Sequence, residues 1–135
     1  MSRYRACLLL GAALGVASPV WGHHSFAMFD LDKEVTLEGK VKDVQWANPH
    51  VWLEIVVPGD NGAETQWSLE MGTTGMLTRA GWKSSTLKPN DKVKVVINPM
   101  RSGEPSGRLV KVILPDGREL GPGGPGAPSP PKPPA

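Results

Sequence analysis

Apolar and polar residues alternate with a period of two from Val35 onward: Val35, Leu37, Gly39 and Val41 interleave with Thr36, Glu38, Lys40 and Lys42. Side chains of a strand point to opposite faces in turn, so this pattern predicts a strand with one buried face. The phase then flips, because Val44 and Trp46 are the next large apolar residues, and a bulge near Asp43 accounts for the flip. Ala47-Asn48-Pro49 reads as a turn. Val51, Leu53, Ile55 and Val57 predict a second strand, ended by Pro58-Gly59-Asp60-Asn61-Gly62, and Trp67, Leu69 and Met71 predict a third.

From Gly72 to Gly81 the alternation stops. Thr74 is suited to cap a short helix, Met76, Leu77 and Ala80 give that helix an apolar face, and Gly81 can end it. Val93, Val95 and Ile97 then predict a fourth strand, and Val110, Val112 and Leu114 a fifth. Three strands, a short helix and two strands, with a long bulged first strand, is the layout of a five-stranded OB-like barrel. Closure into a barrel also removes the unpaired edges of an open sheet. An open meander packed on the helix is the alternative arrangement.

The two ends of the chain fit neither pattern. Arg3 and Arg5 precede a run of 12 small and apolar residues, Ala6 to Ala17. That run matches the core of an export signal and is shorter than the roughly 20 residues needed to span a bilayer. Cleavage after Gly22 would leave residues 23–120 as the working β domain, in the periplasm or secreted, with His23 first. At the other end, residues 121–135 hold seven prolines and four glycines in 15 positions, a composition expected to give a flexible tail without a core.

Charge and cysteine content narrow the chemistry. Without Arg3 and Arg5 the basic count falls from 15 to 13, against 13 acids, so the mature chain is balanced. Nucleic-acid binders concentrate positive charge on one face, and this balance argues against that class. Cys7, the only cysteine, lies inside the predicted signal, so the mature domain has neither disulfide nor thiolate ligand. No second apolar stretch approaches membrane-spanning length. No G-x-S-x-G elbow, phosphate loop or HExxH helix is present.

His23-His24-Ser25-Phe26, Trp46-Ala47-Asn48-Pro49-His50, Trp67-Ser68-Leu69-Glu70-Met71-Gly72, Arg79-Ala80-Gly81-Trp82 and Leu87-Lys88-Pro89 together resemble a family of small exported bacterial proteins classed as a domain of unknown function. The resemblance runs from about His23 to Leu120. It implies an exported protein with an OB-like body and supplies no activity.

The candidate chemistry rests on the three histidines: His23, His24 and His50. A free amine on His23, with a pKa of about 7.7–8.0, yields its proton to a metal near neutral pH. Amine and imidazole of one N-terminal histidine form a chelate ring, and His24 or His50 can supply a further nitrogen. Nitrogen-only tetragonal sites suit copper(II). The plainer alternatives are that adjacent histidines on a strand point to opposite faces, and that His50 only hydrogen-bonds turn backbone. The methionines are expected to fill core.

A second candidate surface is the outward phase of strands two and three, with Trp52, Glu54 and Glu70, and with Trp46 of undecided direction. Such a face on an OB-like barrel is a common ligand surface. The two glutamates could oppose one another across the ladder, but solvated strand carboxylates are the commoner case. Phe26 or Phe29 could cover Trp52 and so bring His23 and His24 towards His50. The expected function is a non-enzymatic envelope binding or accessory module, in its sharpest form holding copper or another divalent metal. The alternative is a metal-free module that contacts an envelope protein or a small ligand, and a small copper enzyme ranks third.

Overall fold

The computed structural model describes residues 26–121. The predicted signal, His23, His24 and the tail from residue 122 lie outside the described residues. A 3-10 turn (Phe26–Met28) precedes β1 (Val35–Gln45), β2 (Trp52–Pro58), β3 (Glu64–Glu70), α1 (Thr74–Arg79), β4 (Lys92–Pro99), β5 (Ser106–Ile113) and β6 (Glu119–Leu120).

Antiparallel ladders join β3 to β2, β2 to β1, β1 to β4 and β4 to β5. A short parallel pairing of β3 with β5 closes the ring, so the five long strands form a barrel with the OB-type order. β1 does double duty: its first half pairs with β4 and its second half with β2. The bulge expected near Asp43 is present, as a register shift between Val41 and Asp43. It lets one strand turn far enough to serve two neighbours. Gly39 lies at the tightest approach, since any Cβ there would collide with the Val56 carbonyl of β2.

The inward phases of all five strands meet in one core. Val51, Leu53, Ile55, Leu69, Val95, Ile97 and Val112 have no exposed surface. Each such side chain contributes about 1.5–3 kcal/mol relative to leaving it in water. A second register shift, opposite Val96 and Ile97 of β4, leaves Val110 as the extra residue of β5, and both Leu109 and Val110 are buried.

The short helix closes one end of the barrel with the fully buried Leu77. Its cap is Thr73, whose side chain accepts from the Met76 amide, and not Thr74 as the sequence suggested. Thr74 is instead the first helical residue. At the other end the helix stops as expected on Gly81, with φ of 92°. The Gly81 amide donates to Thr78 and the Trp82 amide to Leu77, which satisfies two terminal carbonyls and buries Trp82 beside the core.

Two pieces of the fold were not predicted. β6 pairs with the end of β5, burying Leu120, and the Trp82 indole donates to the Gly121 carbonyl. The fold thus uses Gly121, which the sequence assigned to the tail. The incoming segment docks on the β4–β5 turn: Phe29 is buried and bridges to Met100, and Arg101 donates to the Ala27 and Met28 carbonyls. Phe29 is therefore anchored beside β4, not laid over Trp52. Among the described residues, no helix is long and apolar enough to cross a membrane.

Candidate functional site

The β1–β2 turn carries His50, and hydrogen bonds from both sides hold that turn in place. Its cis Asn48-Pro49 peptide precedes the histidine. Asn48 Oδ1 accepts from both the amide and the hydroxyl of Thr74, each at 3.0 Å. The Val51 amide donates to the Gly72 carbonyl, and the Met71 amide returns a bond to Val51. The turn is thereby stitched to the segment between β3 and α1.

The His50 ring is positioned by that stitching. Its Nδ1 lies 3.0 Å from the Met71 carbonyl oxygen and 3.2 Å from Glu70 Oε1. Both are acceptors, so Nδ1 carries the ring proton and donates it. In the neutral ring the lone pair then sits on Nε2. The side chain keeps 33% of its surface exposed, against 8% for Glu70. A carboxylate and a carbonyl behind an imidazole are the partners that commonly orient metal-ligating histidines.

Glu54 and Glu70 lie on the outer face of the barrel as expected, yet both are buried, which corrects the expectation of solvated carboxylates. They do not oppose one another: Glu54 pairs with Ser68, and Glu70 pairs with Trp52. Glu54 is satisfied by Gln66 Nε2 at 3.0 Å and by the Ser68 hydroxyl at 2.9 and 2.7 Å. Gln66 in turn accepts from Lys42 at 2.6 Å. Glu54 is thus engaged by its neighbours on β3, and Glu70 stands against His50.

Of the two tryptophans proposed for this face, Trp52 is half-buried on the outer side between Gln45 and Glu70. Trp46 is half-buried and packs against the barrel core instead. Met71 fills core as expected, whereas Met76 is 48% exposed, contrary to that expectation.

Asn48, Thr74, Gln66 and Ser68 were missed as site-forming residues. The polar alternation of Gln66, Ser68 and Glu70 hinted at the last pair, but only the strand register shows which polar side chains meet. Among the described residues, no group of three or more histidine, cysteine or acidic side chains is placed to hold a metal. Any complete ligand set built on His50 must therefore draw on donors from elsewhere, and His23 and His24 are outside the described residues.

No curated protein and no solved structure matches the chain. One family model does match, over residues 12–109, beginning within the Ala6–Ala17 run and ending short of Leu120. That match takes in 98 of the 135 residues, and the chain belongs to this family, described as a family of unknown function (DUF6152).

Proposed function

We propose that the chain is a non-enzymatic binding module of the cell envelope that holds copper or another divalent metal through His50 together with His23 and His24. The observation that supports this reading is the partly exposed His50 ring, held at Nδ1 by Met71 and Glu70, which leaves Nε2 to carry the lone pair. Fixing the ring before a metal arrives removes an ordering cost from binding. His23 precedes Phe26, the first described residue, by three positions, a reach of about 10 Å when extended. An amine and two further imidazoles would give the nitrogen-rich set that copper(II) favours.

The test is a copper(II) titration of exported protein whose first residue has been verified as His23 by intact mass. Saturable binding should weaken strongly when one residue is added before His23, because the amine leaves the chelate ring while every side chain remains. His50→Ala should weaken it as well. Protons compete for the same nitrogens, so affinity should fall as the solution is acidified. Binding untouched by both changes would remove the metal reading and leave a metal-free interaction module in its place.

A further inference from the structure

The far end of the β2–β3 ladder from His50 holds a groove of about 1000 Å³. Its middle is basic. Lys40 of β1 stands directly opposite Lys92 of β4, and the next pair in the same phase is Glu38 with Lys94. Lys94 is ion-paired with Glu38 at 2.8 Å, and Lys42 donates to Gln66. Lys40 and Lys92 face each other with no carboxylate partner among the described residues. Like charges directly opposed across a ladder are unfavourable, and an anion between them reverses the sign of that interaction.

The flanks of the groove are apolar. The strand rows run Val56–Lys40–Lys92 on one side and Ile113–Lys94–Glu38 on the other, so half-buried Val56 and Ile113 border the cations. Pro58, Pro89 and Pro115 complete the walls. Their rings add apolar surface beside Val56 and Ile113, while Asn90 and Glu64 supply polar edges.

We propose that this groove binds a free single-chain amphiphilic anion, with its carboxylate or phosphate head between Lys40 and Lys92 and its chain along Val56 or Ile113. An extended polyanion fits less well, because Glu38 and Glu64 also line the groove and would repel it. A bilayer surface fits less well too. The exposed large hydrophobic residue among the described ones is Met76, which belongs to α1 and not to this groove. A concave groove takes in a chain, whereas a membrane anchor needs protruding apolar side chains.

The experiment titrates the full exported chain with monomeric decanoate and decyl phosphate, followed by calorimetry and amide NMR shifts. Both should bind saturably and shift the amides of Lys40, Lys92 and Ile113, and inorganic phosphate alone should bind at least tenfold more weakly. The exposed double substitution Lys40→Gln with Lys92→Gln should weaken decanoate at least tenfold with the fold intact by NMR. His50→Ala should leave decanoate binding unchanged, which separates this groove from the metal reading. Equal binding by the double variant, or by neutral decyl maltoside below its micelle concentration, would overturn the proposal. So would retention on anionic vesicles without monomer binding.

Discussion

The two ends of the β2–β3 ladder solve opposite problems. At the His50 end, each polar group is fixed from behind: Asn48 by Thr74, and His50 by Met71 and Glu70. One ring nitrogen remains for a visitor. At the other end Lys40 and Lys92 are long, exposed and opposed, with no fixed acid partner among the described residues. A rigid nitrogen suits a small ligand with strict geometry, such as a metal ion. Ammoniums on long four-carbon stems over an apolar border suit a charged head that tolerates many geometries. The lesson is that side-chain order, as much as residue type, separates these two surfaces.

The sharpest way to break this contrast is Gly39→Ala. The new Cβ would meet the Val56 carbonyl, so β1 must lift from β2 beneath the lysines. A destabilisation of about 2–3 kcal/mol is expected, at the upper part of the range for overpacking. That corresponds to a fall of more than about 10 °C in thermal midpoint. A loss under about 1 kcal/mol in chemical denaturation would show that the strands part easily and that the groove has no fixed floor.

Glu70→Gln tests the other end. It keeps the size of the side chain but takes the negative charge from behind His50. On the proposed metal site, copper(II) affinity should drop about 10–100-fold, the usual cost of losing a group that orients a ligating histidine. Titrations showing no change would mean that Glu70 does not tune the ring, whatever His50 does.

Lys92→Glu has a smaller effect on stability, and of the opposite sign. It turns the Lys40 pair from repulsive to attractive, which should raise stability by about 0.2–1 kcal/mol while abolishing decanoate binding. Reduced stability by urea denaturation would argue that the lysines are already separated by their own conformations.

The smallest effect belongs to Asp116, in the turn between β5 and β6. The Arg118 amide and then its guanidinium hold the carboxyl below its ordinary range. A depressed folded pKa contributes stability above the unfolded value, and this contribution is lost as the pH falls through the folded one. Asp116→Asn should therefore lower the urea midpoint slightly at neutral pH, and the difference should vanish as the pH drops below about 4. A difference that persists in acid would place the effect in the turn itself rather than in the charge.

Period-two alternation was enough to find the five long strands, because each buries one face and the pattern is local. The bulge at Val41 and Asp43 was legible for the same reason: a bulge shifts the apolar phase, and that shift is written in the sequence. β6 was not legible, since two residues are too few to carry a period. The cap shifted from Thr74 to Thr73 because two adjacent threonines offer the same hydroxyl and only the backbone path distinguishes them. His50 was visible as a candidate by type alone, whereas its partners Met71 and Glu70 lie about twenty residues away and depend on register.

The sequence by itself determined the number of long strands, the place of the helix and most of the inward residues, since burial acts on each strand through its own alternation. Leu109 became buried only through the irregular β4–β5 register. Tertiary structure decided what the outer face became. Only pairing could put Glu54 against Ser68, Glu70 behind His50 and Lys40 opposite Lys92. The reason is physical: hydrophobic burial is non-directional and can be read along the chain, whereas hydrogen bonds and charge pairs depend on distances across it, which are set when the barrel closes.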